Sequence, residues 1–262
     1  MRVSDAVSAY YHWEGTFVTR FPGSAASRLV LCLSLLGLSL GAAQAHIIVG
    51  GSDLLSLADV GTLAGWLEEG PLQLENIFST NNDGTKAAVD FHAACDGKGR
   101  TFSIYSVTKD GSDYIIGGYN PQSWNSTEGW HITDALEDRT AFIFNLTTDV
   151  YQGQHAEAPL SHGIYQTYND ASSWARFGSY DIYSSQTSAM PNVATQFSYG
   201  SGTYDVNILG GTGAQGTTFT TNRLEVFTIS AVPEPSIGLL LLAGIVPLGV
   251  IYRRRRRSTS VN

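Results

Sequence analysis

The sequence predicts a strand-dominated α+β domain, an antiparallel β-sandwich with peripheral helices, with an apolar segment near each end of the chain. Three observations predict it. Short β-rich runs separated by Gly, Asn, Asp and Ser fill the later part of the chain, two stretches with helical apolar spacing come early, and the apolar runs near the ends differ sharply from what lies between them. Of 262 residues, 43% are apolar and 15% charged, a balance that excludes a disordered acidic tail, a polytopic membrane protein and a disulfide-rich miniprotein.

Residues 29 to 41, Leu-Val-Leu-Cys-Leu-Ser-Leu-Leu-Gly-Leu-Ser-Leu-Gly, follow Arg28 and precede Ala43-Gln44-Ala45, a small-x-small site. This order predicts a Sec-type signal peptide within residues 1–45, its core shorter than the roughly 20 residues a spanning helix needs. Cleavage after Ala45 leaves His46 at the mature N-terminus. The residues before Arg28, with Asp5, Trp13 and Glu14, are poor n-region material, which points to a translation start further along.

Residues 46–231 form the predicted domain. From His46 to Val232 there are 20 acidic and 7 basic side chains, so the body is acidic and long enough for one core. Cys32 leaves with the signal peptide and Cys95 stays alone, so no intramolecular disulfide is expected. Asp53 to Leu67 carries Leu54, Leu55, Leu57, Val60, Leu63 and Leu67, and Ala87, Ala88, Phe91, Ala94 and Cys95 recur at helical spacing after a Thr85 cap. Thr101 to Val107 and Asp113 to Tyr119 flank a Lys109-Asp110-Gly111-Ser112 turn, which predicts a hairpin. Ala141 to Leu146 places Phe142, Phe144 and Leu146 on one face of a strand. Arg176 to Tyr183, Tyr204 to Ile208 and Asn222 to Ile229 are further predicted strands. Gly117 and Gly118 inside a strand imply the close approach of a bulky ring, with Trp124 as the candidate.

Residues 232–262 begin with Val232, Pro233, Glu234, Pro235 and Ser236. Sixteen largely apolar residues, Ile237 to Tyr252, follow, and then Arg253, Arg254, Arg255, Arg256 and Arg257. Two prolines keep the carboxylate of Glu234 on extended chain, the apolar run predicts a short transmembrane helix, and the arginines hold its far end in the cytoplasm. The basic run abuts an apolar segment and the body is acidic, so nucleic acid is not an expected partner. This tail resembles the PEP-CTERM sorting signal of Gram-negative bacteria. The resemblance implies export through the Sec machinery and an inner-membrane-anchored intermediate. Recognition by an exosortase and cleavage near Pro-Glu-Pro follow, with delivery to the surface or outside of a cell that makes extracellular polysaccharide.

In the body, Phe91-His92-Ala93-Ala94-Cys95-Asp96-Gly97-Lys98-Gly99 leads into Thr101-Phe102-Ser103-Ile104, followed by Ile116-Gly117-Gly118-Tyr119, Ser123-Trp124 and Ala141-Phe142-Ile143-Phe144. With Phe177-Gly178-Ser179-Tyr180-Asp181 and the closing Leu224-Glu225-Val226-Phe227, this resembles a TLDc domain over roughly Leu54 to Ile229. The resemblance implies the sandwich with peripheral helices. For eukaryotic members it implies protection against oxidative stress and binding to the vacuolar proton pump, a partner that an exported protein would not meet.

The chemistry-bearing residues form no evident catalytic set. His12, His46, His92, His131, His155 and His162 lack metal-site spacing, Gly200-Ser201-Gly202 lacks the nucleophile-elbow pattern, and neither a metal nor another cofactor is expected. Asn81-Asn82-Asp83-Gly84 reads as a turn into a helix with a weak likeness to a calcium loop. Cys95, beside Lys98 and Arg100, is either a core thiol or a peroxide-sensitive one that would serve an exported protective domain. Trp124, Trp130 and Trp174 are candidates for an aromatic platform that stacks on extracellular polysaccharide. The expected function is therefore a non-catalytic binding or matrix component, with a Cys95-based protective role and a calcium- or polysaccharide-binding module as alternatives.

Overall fold

Asp110 and Gly111 set the register from which the main sheet is built. Both take positive φ, 52° and 79°, the pair of values that a two-residue type I′ turn requires. They join β3 (Thr101–Lys109) to β4 (Ser112–Asn120) in an unbroken antiparallel ladder from Lys109↔Ser112 to Thr101↔Asn120. The structure is a computed structural model and describes residues 45–80, 86–156, 162–184, 192–200, 206–212 and 216–232.

Around this hairpin stand β1 (Ile47–Val49), β2 (Leu72–Ser79), β6 (Phe142–Asn145), β7 (Val150–Gly153) and β12 (Thr220–Ala231). Their spatial order is β1-β2-β12-β3-β4-β6-β7, antiparallel throughout except for the β1–β2 pair, which is parallel. Three smaller strands, β5 (Gly129–Ile132), β8 (Tyr165–Asn169) and β9 (Arg176–Phe177), form a second sheet, and β10 (Val193–Ala194) pairs with β11 (Thr217–Thr218).

Both faces of the large sheet are buried, which is why β3 is covered from Thr101 to Tyr105 and not only on alternate residues. On one face Phe102, Ile104, Tyr119, Phe142, Phe144 and Phe227 pack beneath α1 (Leu57–Trp66), which contributes Val60, Leu63 and Ala64. A capping box starts this helix: Asp59 N–H donates to Ser56 Oγ and Ser56 N–H to the Asp59 carboxylate, an arrangement worth about 1 kcal/mol. On the other face Tyr105, Val107, Ile116, Ile143, Leu224 and Val226 meet Phe91 and Cys95 of α2 (Ala88–Cys95), together with Trp124, Phe177 and Tyr199.

Among the described residues the architecture is thus a strand-dominated α+β fold with two α-helices. The second layer is a three-stranded sheet and a two-stranded ribbon sharing one face with α2, in place of a second full sheet. Arg176 to Tyr183, expected as one strand, is a two-residue strand followed by a tight turn. Gly178 takes φ 59°, and Phe177 and Ile182 close the turn as a bridged pair. Val206 to Ile208, expected as the end of a strand, instead leads into a turn at residues 208–210, organised by Asn207, whose Oδ1 accepts from Leu209 and Gly211 N–H. At α2 the cap is Asp90, which accepts from Ala87 N–H at 2.9 Å; Thr85 lies outside the described residues.

Candidate functional site

The three-stranded sheet aligns one residue from each strand on its outer face. Trp130 pairs with Tyr168 and Tyr168 with Arg176. The Arg176 guanidinium carbon lies 4.5 Å from the ring centre of Tyr168, 5.0 Å from Trp130, 4.2 Å from Tyr180 and 5.3 Å from Tyr183. Its Nη2 donates to the Ser179 carbonyl. Burial disfavours the charged guanidinium and lowers its pKa, and the four π-faces offset part of that cost, each contributing about 0.5–2 kcal/mol.

From this cage the rings continue outward. Trp130 touches Tyr165 at 4.9 Å and Tyr168 at 4.7 Å, and His162 bridges Tyr165 to Phe197. Trp130, Tyr165, Tyr168 and Tyr180 are each half-buried, with one part of the ring packed and another open to solvent. Such a surface offers flat apolar faces beside polar ring edges, the amphipathic character that a sugar ring also presents.

A buried carboxylate holds the cage in place. Asp181 is fully covered and accepts backbone N–H groups from Phe197 at 2.8 Å, Ser198 at 2.9 Å and Tyr199 at 3.0 Å. Burial pushes its carboxyl up to about 6, against the pull of those donors. Tyr180 and Tyr183 flank Asp181 on the same turn, so the network that closes the turn also positions half of the rings around Arg176.

Beneath β5 lies a polar cleft of about 530 Å³. Asp96, Glu128 and His131 line it, with Gln122, Ser123 and Asn125 between them. His92 Nδ1 meets Asp96 at 2.7 Å and His131 Nδ1 meets Glu128 at 2.9 Å. Burial pushes the Asp96 carboxyl up, but hydrogen bonds from His92 and Ser126 outweigh it and hold the group below the ordinary carboxylate range. Among the described residues no three His, Cys, Asp or Glu side chains stand where they could hold a metal ion.

The residues singled out from sequence are separated by the structure. Trp130 belongs to the aromatic face. Trp124 and Trp174 are core residues, 1% and 4% exposed, and offer no platform; the Trp124 indole donates to Thr101 Oγ1 at 2.9 Å. Nor does Trp124 fill the space beside the glycines: Phe144 packs on Gly117 and Phe177 on Gly118. Cys95 is wholly buried, and desolvation raises its pKa far above the usual thiol range, the reverse of what a peroxide-sensitive thiol needs. Ala45 is exposed and Val232 donates to the Pro71 carbonyl. Ala43, the Asn81-Asn82-Asp83-Gly84 turn, Pro233, Glu234, Pro235 and Arg253 to Arg257 lie outside the described residues. Arg176, the centre of the cage, was not predicted as a site; a lone cation between Tyr165-x-x-Tyr168 and Tyr180-x-x-Tyr183 is the only signal the sequence carries for it.

A family profile described as the TLDc domain matches residues 48–230, from β1 to the end of β12. The chain belongs to the TLDc domain family. No curated protein matches it. Two segments that carry the TLDc resemblance acquire physical reasons here. Phe177-Gly178 opens the turn that Asp181 closes, and Glu225 in the last strand, 1% exposed, accepts from Ser52 Oγ at 2.5 Å and Asp53 N–H at 3.1 Å. Glu225 thereby pins the segment ahead of α1 to β12, an interior strand of the large sheet between β2 and β3.

Proposed function

We propose that this chain is an exported bacterial surface or matrix protein whose TLDc domain binds polysaccharide without catalysis. The chain would be exported through the Sec machinery and cleaved after Ala45. The tail, with Pro233, Glu234 and Pro235, would be held in the inner membrane until an exosortase cuts it, leaving the body at the cell surface or outside a Gram-negative cell. Among the described residues no helix is long and apolar enough to cross a membrane; the apolar run Ile237 to Tyr252 lies beyond them.

The observation that carries the binding reading is the register-aligned aromatic face, Trp130, Tyr168 and the caged Arg176, extended by Tyr165 and Tyr180. Ring faces held rigid by packing lose little freedom when a flat ligand stacks on them. With 20 acidic against 7 basic residues in the body, a polyanion would be repelled, so the ligand class is an uncharged or amino-bearing polysaccharide.

Intact mass and fractionation of the native protein test the address. The expected product begins at His46, ends within residues 233–235 and is recovered outside the inner membrane; an uncut chain in the cytosol would contradict it. Retention on immobilised dextran or chitosan, and passage over alginate, tests the ligand class.

A further inference from the structure

His46 and Val232, near the two ends of the described residues, meet at one place. Leu72 N–H donates to His46 Nδ1 at 3.1 Å, and Val232 N–H donates to the carbonyl of the preceding residue, Pro71, at 3.0 Å. β1 runs parallel to β2 from Ile47↔Gln73, while β12 runs antiparallel to β2 and finishes at Ala231↔Leu72. The first and last strands therefore flank the start of β2, and their terminal residues stand about 10 Å apart, two strand spacings.

The register carries this further across the sheet. Thr228 pairs with Thr101 and Thr101 with Asn120, so β3 starts and β4 finishes toward the same end. Residues 96–100 and 121–128, several of which line the polar cleft, extend from there. The Asp110-Gly111 turn is at the opposite end, about 27 Å further along β3. The apolar run starts at Ile237, and five residues of chain reach at most about 18 Å in any conformation.

We infer that in the uncut chain the sheet end carrying His46, Pro71 and Val232 is the membrane-facing surface of the domain. The partner is the bilayer itself, and the occupant of that face follows from the short stretch between Val232 and Ile237. The β3–β4 turn points away from the membrane, and the cleft at Asp96 and Glu128 faces it until the tail is cut. This inference rests on the sorting-tail reading above.

Headgroup quenching in full-length protein with an uncut tail tests it, using phosphatidylcholine vesicles that carry a nitroxide on a fraction of the headgroups. Two labelling variants suit the geometry. Gly70→Cys sits beside Pro71, where an added Cβ meets nothing within 4 Å, and Ser112→Cys sits at the exposed start of β4, beside the far turn. The fluorophore at position 70 loses most of its emission and the one at position 112 keeps nearly all of it. A Gly/Ser spacer of about 30 residues between Val232 and Pro233, reaching roughly 30 Å on average, relieves the quenching at position 70. Equal quenching at both positions, or quenching at position 70 that the spacer leaves unchanged, would overturn the inference. Protein that does not float with the vesicles at all would instead overturn the sorting-tail reading, and the inference with it.

Discussion

Phe177 packs on Gly118 so closely that a Cβ at position 118 would stand 2.6 Å from its ring carbons. This contact seats the small sheet on the large one, since Phe177 belongs to β9 and Gly118 to β4. Gly118→Ala should destabilise the domain by about 1–3 kcal/mol through overpacking, and Phe177→Leu in the same chain should recover part of the loss. Gly70→Ala, in open space, should stay within about 0.5 kcal/mol of the parent. Urea denaturation of the four proteins checks the pattern.

Arg176 closes the aromatic cage from within. Replacing it with Ala removes the cation from four rings and leaves a void between them, which should cost about 2–4 kcal/mol. Arg176→Lys keeps the charge but loses the flat guanidinium, and should fall between the parent and the Ala variant. Thermal unfolding orders the three, and a Lys variant as unstable as Ala would show that charge plays no part.

Asp181 should make stability depend on pH in a definite direction. Its folded pKa, about 6, lies above the ordinary value of 3.8, so the folded state holds the proton more tightly than the unfolded one. The stabilisation from this group is fully present below about 4 and is lost as pH rises through about 6. Asp181→Asn copies the neutral form, so its cost relative to the parent should shrink between pH 5 and pH 7, by on the order of 1–2 kcal/mol. Chemical denaturation of both proteins at the two pH values reads the difference; a cost that grows with pH would refute the assignment.

Cys95 should resist thiol reagents in the native protein and react at once in denaturant. Complete burial and a raised pKa both withhold the thiolate. Rapid labelling without denaturant would return the protective role to consideration.

The sequence was most legible where local chemistry and tertiary environment agree. Asp110-Gly111 dictates its turn, Ser56 and Asp59 start α1, and the alternation of Phe142 and Phe144 survives because Ile143 meets a second core on the other face. β2 escaped prediction because its period breaks: the ladder skips Ile77 between Val226↔Phe78 and Phe227↔Asn76, sending Leu72 and Leu74 to one core and Phe78 to the other. The turn at Gly178 to Asp181 was hidden for another reason. Its β-prone composition is overruled by a carboxylate whose partners lie 16 to 18 residues away. The aromatic face shares that cause, since Arg176 finds Trp130 and Tyr180 only once β5, β8 and β9 are aligned.

The most direct test of the binding account is a calorimetric titration of the native protein, Trp130→Ala and Trp130→Phe with chito-oligosaccharide and dextran oligomers, with circular dichroism to confirm that each variant is folded. The parent should bind at least one of the two saturably, Trp130→Ala should lose that binding and Trp130→Phe should recover it. Undiminished binding by folded Trp130→Ala, or no saturable heat from the parent with either polymer, would contradict it.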